Sequence, residues 1–422
     1  MNPPKQSQRA GTTPNIEDEV LGVINPAHLA ADVARMVRAA SPTGAERPAV
    51  EELATIAEQH ALAPQIHLHD LAALRALPGY PGEEAPREEL VGLTATLPGT
   101  GPQRLCLNGH VDVVGPGSAP WQRPPFEGKV AGGQVYGCGS LDMKGGVIAA
   151  LHAMSAVRQV VGRPVAEVVL QGVSSEEDGG LGTFAALELD DRFDGCLIPE
   201  PTAFDVVVAH GGALTFIGTV RGVSAHAAVR LEGISAIDRF ISVHAALAEH
   251  EREVNSDVAH PLMARLELPY PLSVGRVTAG RWSSQVPDEL EFEGRLGVAV
   301  GVSVMNARAA LEQAVASAHD GIGPATEIRW EGGQFAPAQT PPEHPFVELV
   351  HAVAREQCDP ASSLSGVPYG ADMRHFCARG IPCVMLGPPG LERAHAADEW
   401  VSVDDLVRVA RAIAVTILRF SS

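Results

Sequence analysis

The sequence predicts an α/β protein in which a mixed, largely parallel sheet domain is interrupted by a smaller α+β domain. The chain has 422 residues, which is more than one typical domain contains. Toward both ends, short apolar runs alternate with helical patterns, as expected for a sheet with helices on both faces. Between them, from about His210 to Arg295, the pattern instead indicates strand, strand, helix, strand, strand.

The N-terminal half supplies the first part of the sheet domain. Residues 1–21 begin as a polar stretch, and we expect them to form a flexible tail. Residues 22–208 start with helical patterns in "NPAHLAADVARMVRAA" and "AVEELATIAEQHA". Buried strands are then predicted in "RLCLNGHVDVV", "EVVLQGVSS" and "GCLIPEPT". Apolar residues at helical spacing in "MKGGVIAALHAMSAVRQV" predict a helix between the first two strands.

The inserted domain and the return of the α/β pattern complete the chain. We assign residues 209–325 to the inserted domain, with a helix in "GISAIDRFISVHAALAEHEREV" and later strands in "SVGRVTAG" and "ELEFEGRLGVAV". Residues 326–422 form the second part of the sheet domain. They contain helical patterns in "HPFVELVHAVAREQ" and "DDLVRVARAIAVTIL" and a strand in "IPCVMLG".

Composition argues against several classes of function. The formal net charge of −20 argues against a nucleic-acid-binding surface. The chain has no basic block for anionic lipid and no run long enough to span a bilayer. Because its first residues contain no apolar run, we expect no signal peptide. Its six cysteines form no CxxC pair and are typical of reduced thiols. We therefore expect a cytoplasmic protein that binds neither nucleic acid nor membranes.

Polar residues cluster where the predicted strands end, which is where open α/β sheets place their sites. They are His110 and Asp112 in "NGHVDVV", Asp142 in "YGCGSLDMKGG", Glu176 and Glu177 in "SSEEDGG", Glu200 in "LIPEPT" and His395 in "ERAHAADEW". Adjacent carboxylates repel each other unless a cation neutralises them. Two imidazoles with several carboxylates suit Zn²⁺, Co²⁺ or Mn²⁺.

Each of these residues also has a simpler explanation. A lone strand-end histidine is often structural, and Asp142 could cap the following helix. The acids of "SSEEDGG" could occupy the first turn of a helix in "GTFAALELDDRF". The segment "GCGSLD" lacks the third glycine of a dinucleotide motif, which argues against nucleotide binding. The joint placement of all these residues at successive strand ends favours a metal site.

The series "GHVDVV", "YGCGSLDMKGG", "SSEEDGG", "PEPT", "VSAHAA" and a later histidine resembles the co-catalytic zinc amidohydrolases. That family includes acetylornithine deacetylase, succinyl-diaminopimelate desuccinylase, aminoacylase and glutamate carboxypeptidase. The resemblance implies two divalent metal ions per subunit, with Zn²⁺ preferred and Co²⁺ or Mn²⁺ as alternatives. It also implies that the inserted domain is a two-layer, ferredoxin-like lid through which the protein forms a homodimer.

The resemblance assigns the metal ligands by position. They are Asp142 as a bridge, His110 and Glu200 at one metal, and Glu177 and His395 at the other. It further implies that Asp112 orients His110 and that a cis peptide follows Asp142. A water or hydroxide shared by the two ions would then be the nucleophile.

The catalytic roles of Glu176 and His226 and the substrate-side residues follow from the same resemblance. Glu176 would take the proton of the water and pass it to the leaving amine. His226 would donate to the substrate carbonyl across the dimer interface. The substrate-side residues are Arg295 as a carboxylate clamp, Ser284 where many relatives have Asn, and Asp372 and Arg374 in "PYGADMRHF". A surface salt bridge remains the alternative for Arg295, and the role of Asp178 stays open.

The resemblance favours hydrolysis of a small N-acyl amino acid or related N-acyl amine, as in acetylornithine deacetylase. Within the family, Glu at position 200 is commoner in deacylases and carboxypeptidases than in aminoacylases and dipeptidases. A dipeptidase or carboxypeptidase is the main alternative. The stretch "GRWSSQVPDELEFEGRLG" also resembles deformylases of formylaminopyrimidines. Two classes are disfavoured: a catalytically inactive binding homologue, because no proposed ligand is missing, and a redox enzyme with a single iron.

Overall fold

The computed structural model describes residues 15–318, 321 and 324–420. Most of the tail expected at residues 1–21 lies outside these residues. From Ile16 onward, however, the tail prediction is wrong, because a helix begins after Asn15, whose side chain accepts a hydrogen bond from the Glu17 amide. Val20 of this helix is fully buried in the main hydrophobic core, and this burial fixes the segment.

The elements alternate along most of the chain. The described helices are α1 (Ile16–Val23), α2 (Pro26–Arg38), α3 (Arg47–Gln59), α4 (Leu71–Arg75), α5 (Gly145–Val161), α6 (Leu181–Leu189), α7 (Ala236–Val254), α8 (Val304–Ser317), α9 (Pro345–Gln357), α10 (Met373–Cys377) and α11 (Val403–Arg419). The described strands are β1 (Ala63–His69), β2 (Leu90–Leu97), β3 (Arg104–His110), β4 (Lys129–Ala131), β5 (Gln134–Tyr136), β6 (Glu167–Val173), β7 (Gly195–Ile198), β8 (Val206–His210), β9 (Gly212–Arg221), β10 (Leu272–Ala279), β11 (Glu289–Val298), β12 (Glu327–Phe335), β13 (Ala338–Gln339), β14 (Leu364–Val367), β15 (Cys383–Met385) and β16 (Trp400–Ser402).

Nine of the described strands form one mixed sheet in the order β1-β2-β6-β3-β7-β15-β8-β13, with β14 also paired to β8. The central strands β6, β3, β7 and β15 are parallel to one another. At the edges, β1, β2 and β13 run antiparallel to their neighbours. The four apolar runs predicted as strands in the sheet domain therefore form its parallel centre, and the predicted fold class is confirmed.

Helices cover both faces of this sheet. Neighbouring residues of a strand point to opposite faces. The Asn108 side chain donates a hydrogen bond to the hydroxyl of Thr183 in α6, at 2.9 Å. A Cβ at the next residue, Gly109, would instead meet Val147 of α5 at 2.7 Å. Thus α6 lies on one face of the sheet and α5 on the other.

A separate four-stranded antiparallel sheet has the order β10-β11-β9-β12. In chain order its elements are β9, α7, β10, β11, α8 and β12, which is the β-α-β-β-α-β arrangement of ferredoxin-like folds. A second core lies between the sheet and these helices and includes Phe292 and Leu311. The sequence predicted two strands before the helix of this domain, but the structure has one continuous strand there, β9. The sheet also extends past the predicted boundary at residue 325, because β12 pairs with β9.

None of the helices among the described residues combines the length and apolar character needed to cross a bilayer. The six cysteines all lie in the described part of the chain, and none of them forms a disulfide.

Candidate metal centre

His110 is the last residue of β3, and its side chain is almost fully buried. Its Nδ1 lies 3.0 Å from the backbone oxygen of Asp112. Because a carbonyl oxygen only accepts, Nδ1 carries a proton and donates it there. The Nε2 atom faces two carboxylates, at 3.2 Å from Asp142 Oδ1 and 3.6 Å from Glu200 Oε1. The backbone of Asp112, rather than its carboxylate at 3.6 Å, therefore makes the shorter contact that orients His110.

Asp142 lies between the two imidazoles that the sequence analysis singled out. Its Oδ1 is 3.2 Å from His110 Nε2, and its Oδ2 is 3.4 Å from His395 Nε2. The peptide bond between Asp142 and Met143 is cis, as the family resemblance implied. One carboxylate thus presents a different oxygen atom to each histidine.

The turn that carries Asp142 is held by Glu399, which the sequence analysis missed. The buried Glu399 carboxylate accepts the backbone amides of Gly139, Leu141 and Asp142, at 2.8, 2.7 and 3.1 Å. Glu399 reaches this turn because of strand pairing. Strand β16 begins at the residue after Glu399 and pairs with β5, which ends just before the turn. Burial raises the pKa of Glu399 to about 7.

Glu176 and Glu177 follow β6, and Asp112 positions both. The Asp112 carboxylate accepts the backbone amides of Glu176 and Glu177 at 3.2 and 3.1 Å. The Glu177 Oε1 atom lies 3.0 Å from His395 Nε2. Among the described residues, the Glu176 side chain makes no hydrogen bond to either imidazole. Adjacent glutamates therefore have different surroundings, and only Glu177 is paired with a histidine.

The electrostatics of this cluster reflect crowded carboxylates. Burial, followed by the charge of Asp372, raises the pKa of Glu176 well above its usual range. Burial and then the charge of Asp142 do the same to Glu200. Burial alone would raise the pKa of Asp142, but hydrogen bonds from the two histidines outweigh it and lower that pKa. Hydrogen bonds to Asp142 and Glu177 raise the pKa of His395 to about 10.

The donor set fits a divalent metal ion. His110, Asp142 and Glu177 each offer one ligand atom, and these atoms lie within 4.8 Å of one another. Glu200 lies 3.6 Å from His110, and His395 lies 3.4 Å from Asp142 and 3.0 Å from Glu177. Imidazole nitrogens and carboxylate oxygens are the ligands that zinc and related ions prefer. Cations would also offset the repulsion among the acids.

The cluster opens into a cleft of about 440 Å³. Acidic groups and His395 line one part of this cleft, and residues of the four-stranded sheet line another. Arg295 of β11 belongs to the second group, with its guanidinium 5.4 Å from the centre of the Phe335 ring. Arg295 forms no salt bridge within the described part of the chain. The alternative that Arg295 serves only in a surface salt bridge therefore has no support. Tyr369, which the sequence analysis did not single out, also lines the cleft.

The other substrate-side candidates lie away from the cleft surface. Arg374 is buried, donates to the backbone oxygens of Ala371 and Gly179, and stacks 4.0 Å from the Phe335 ring centre. Asp372 is also buried, and its Oδ1 lies 4.0 Å from the Arg374 guanidinium. Both residues therefore lie behind the cleft wall, and neither is among the described residues that line the cleft.

His226 and Ser284 lie together in the loops beside the four-stranded sheet. The backbone oxygen of Ser284 accepts a hydrogen bond from the amide of Ala227 at 3.0 Å. The backbones of His226 and Gln285 form an isolated antiparallel β-bridge. Both candidate side chains are exposed, and neither is among the described residues that line the cleft. In the single chain His226 therefore lies outside the lining of the cleft that holds the carboxylate–histidine cluster.

The structure accounts for Asp178, whose role the sequence left open. Its carboxylate accepts from Arg87 at 3.1 Å and from the backbone amides of Glu84 and Ala85 at 3.1 and 2.9 Å. Arg87 is buried and also pairs with Glu46. The third acid of "SSEEDGG" thus anchors the loop before β2.

Lys144 is another residue that the sequence analysis missed. It is fully buried just before α5, where its ammonium donates to the backbone oxygens of Met36 and Ala39 at 3.0 and 2.9 Å. Burial lowers the pKa of Lys144 to about 8. A lysine at a helix N-terminus is unfavourable because its charge opposes the helix dipole. This unusual position could have drawn attention to Lys144 in the sequence. Its contacts fix the C-terminal end of α2 against the Asp142 turn.

Comparison with known proteins gives a consistent family relationship. Residues 106–419 match the profile of peptidase family M20/M25/M40. The chain is 29% identical over 362 residues to a succinyl-diaminopimelate desuccinylase of Paracoccus denitrificans, covering 81% of this chain and 89% of that protein. It is 27% identical to an acetylornithine deacetylase of Salmonella arizonae, covering 72% and 76%.

Solved structures show the same fold. A tripeptidase from Staphylococcus aureus has a TM-score of 0.73 at 20% identity, covering 94% of this chain and 99% of that one. A metallo-carboxypeptidase from Sulfolobus solfataricus has a TM-score of 0.71 at 14% identity, covering 92% and 98%. At these identities the likeness supports the fold alone. Together with the profile match, it confirms the resemblance inferred from the motifs.

Proposed function

The chain belongs to peptidase family M20/M25/M40, and on this premise we propose how its cleft hydrolyses an amide. It is a metal-dependent hydrolase of linear amide bonds, with deacylases among its relatives. The observation that carries the proposal is Asp142, whose two carboxylate oxygens face His110 and His395 separately. This arrangement suits a bridge between two divalent ions.

The metal ligands in this proposal are Asp142 as the bridge, His110 and Glu200 on one side, and Glu177 and His395 on the other. Zn²⁺ is the proposed native metal, and Co²⁺ or Mn²⁺ would suit the same ligands. When bound, such ions lower the pKa of water and polarise the amide carbonyl. Asp112 and Glu399 hold the ligand-bearing turns in place through backbone amides.

Glu176 is the proposed proton carrier. It lies in the cleft beside Glu177 but is not paired with a histidine in the described residues. With cations in the cluster to favour its ionised form, the Glu176 carboxylate would accept a proton from the attacking water and deliver that proton to the nitrogen of the leaving amine. The water oxygen would bond to the amide carbon, the carbon–nitrogen bond would break, and a carboxylic acid and an amine would leave the cleft.

We propose a small N-acyl amino acid or related N-acyl amine as the substrate. The cleft pairs the acidic cluster with apolar walls and one cation, Arg295, on the opposite sheet. That cation suits the carboxylate of an amino-acid product. The two deacylase relatives support a small acyl group, whereas the peptidase structures share only the fold.

A substrate panel tests this proposal. N-acetyl, N-formyl and N-succinyl amino acids, dipeptides and a formylaminopyrimidine would be incubated with the protein and Zn²⁺ or Co²⁺. We expect turnover of one N-acyl amino acid with release of its carboxylic acid, measured by chromatography. Preferred release of two amino acids would instead identify a dipeptidase or carboxypeptidase. Absence of turnover across the panel, with metal bound, would favour an inactive binding protein.

Arg295→Gln should weaken substrate binding specifically. Because the guanidinium stands in the cleft without a salt bridge to described residues, its removal should raise KM at least about tenfold and change kcat little. Steady-state kinetics on the best panel substrate would measure this. Arg276→Gln is the control, since Arg276 lies on the same sheet but pairs with Glu291 and Glu293. An equal KM in both variants would contradict the clamp.

We further propose a cytoplasmic homodimer in which the four-stranded sheet and its helices, residues 212–335, serve as lid and dimer interface. Ile237 and Ile241, one turn apart on α7, expose 44% and 65% of their surface. Among the described strands β10 pairs only with β11, so its other side could pair with a second copy. The reduced state of the cysteines supports a cytoplasmic location.

His226 of one subunit is proposed to donate to the substrate carbonyl in the other, because it lies outside its own cleft. Inactive Glu176→Gln and His226→Ala chains, once mixed, should therefore regain activity through hybrid dimers that hold one intact site. Activity would be followed after verified subunit exchange. A mixture that stays as inactive as its parents would contradict a role in trans.

A further inference from the structure

A second group of potential metal ligands lies outside the cleft, where three helices meet. Asp32 belongs to α2, His60 immediately follows α3, and His152 belongs to α5. Asp32 Oδ2 lies 3.0 Å from His60 Nε2 and 3.0 Å from His152 Nε2. One ligand atom from each residue falls within 4.8 Å of the others.

We propose that Asp32, His60 and His152 form a third divalent-metal site, suited to Zn²⁺ and separate from the hydrolytic centre. Two imidazole nitrogens and one carboxylate oxygen form a ligand set that zinc uses in proteins. Zinc bonds of about 2.0–2.2 Å in a tetrahedron would place ligand atoms roughly 3.3 Å apart. The observed 3.0 Å spacings need only a small expansion to reach that value.

Neighbouring side chains hold two of these ligands in place through hydrogen bonds, as is common around metal sites. The other carboxylate oxygen of Asp32 accepts a hydrogen bond from Arg35 at 3.2 Å, which leaves Oδ2 for an ion. His60 Nδ1 lies 2.9 Å from the Ser155 hydroxyl oxygen. With Nε2 bound to a metal, Nδ1 would carry the proton and donate it to that oxygen. Such outer contacts are typical of metal-bound histidines.

A solvent-accessible cavity of about 770 Å³ leads to the imidazoles. Its lining includes His28, His60, His152 and Ser155. The cavity gives an ion access and leaves room for water at the fourth position of a tetrahedral site. Because α5 starts directly after the Asp142 turn, an ion here would tie α2 and α3 to the helix behind the hydrolytic centre.

The test uses the full chain carrying His110→Ala and His395→Ala, which removes both imidazoles of the hydrolytic centre. Zn²⁺ binding is measured against a chromophoric chelator, and Co²⁺ binding by visible absorption. We expect one ion per chain in this background and none after His60→Gln is added. Adding His69→Gln instead, at a half-buried histidine of β1, should leave the ion bound. A background that binds no Zn²⁺, or binding that survives His60→Gln, overturns the proposal.

A second variant guards against misfolding of His60→Gln. Ser155→Ala in the same background keeps all three ligands and removes only the outer contact to His60. It should weaken Zn²⁺ affinity about tenfold or more. Unchanged affinity would count against the site. Because no residue is shared with the hydrolytic centre, this result is independent of the proposed function.

Discussion

Glu176→Gln should lower kcat by about 10²–10⁴-fold while the protein keeps its metal. Glutamine has nearly the same shape but cannot accept and return a proton, so the transfer from water to the leaving amine is lost. Metal should remain because the Glu176 side chain makes no hydrogen bond to His110 or His395 within the described residues. Steady-state kinetics and elemental analysis of the same preparation would measure both quantities.

The matched control for this variant is Glu348→Gln, at an exposed position in the first turn of α9. It makes the same chemical change far from the cleft lining and should leave kcat unaltered. Turnover by Glu176→Gln close to that of the unmodified protein would show that another group carries the proton. Loss of metal in Glu176→Gln would instead make Glu176 a ligand.

Glu177→Ala should cost both metal and activity. The Glu177 carboxylate lies 3.0 Å from His395 Nε2, and its removal deletes a proposed ligand and leaves that histidine with Asp142 alone. Loss of an outer contact already weakens metal binding 10–100-fold, so loss of a ligand should weaken one ion by at least about 100-fold. Competition with a chelator would measure the Zn²⁺ affinity of both proteins. Any ion bound at the proposed Asp32 site would contribute equally to the two measurements.

Glu343→Ala, at an exposed position before α9, is the control for Glu177→Ala. It should retain the metal content and kcat of the unmodified protein. Full metal occupancy in Glu177→Ala at limiting Zn²⁺ would remove Glu177 from the ligand set. The two adjacent glutamates thus give opposite expected results, one losing turnover alone and the other losing metal first.

The central sheet could be predicted because its strands are apolar runs long enough to be buried. The run "RLCLNGH" became β3, and its final residue, His110, reached the cluster as the sheet pattern required. The pattern failed where packing between distant segments decides the structure. Residues 16–21 lack a strong apolar pattern, yet Val20 is buried in the main core. Similarly, β12 joins the four-stranded sheet through pairing with β9, which no local signal indicates.

In the candidate site, too, some residues could be recognised from the local sequence and others could not. Residues with chemistry of their own, such as Asp142 and Glu177, stood out by type and position. Glu399 did not, because its contacts are to backbone amides more than 250 residues away in the sequence. The partner of Asp178, Arg87, lies in a loop that the sequence shows only as polar. Residues that position a site act through tertiary contacts and leave little trace in local sequence.

The central claim is that five side chains hold a pair of metal ions on either side of the Asp142 carboxylate. Crystals of the full chain grown with Zn²⁺, measured on both sides of the zinc absorption edge, would locate every bound ion. We predict two anomalous peaks at about 2.0–2.2 Å from different oxygens of Asp142, one beside His110 and the other beside His395. Crystals with zinc bound elsewhere but no peak at Asp142 would contradict the account.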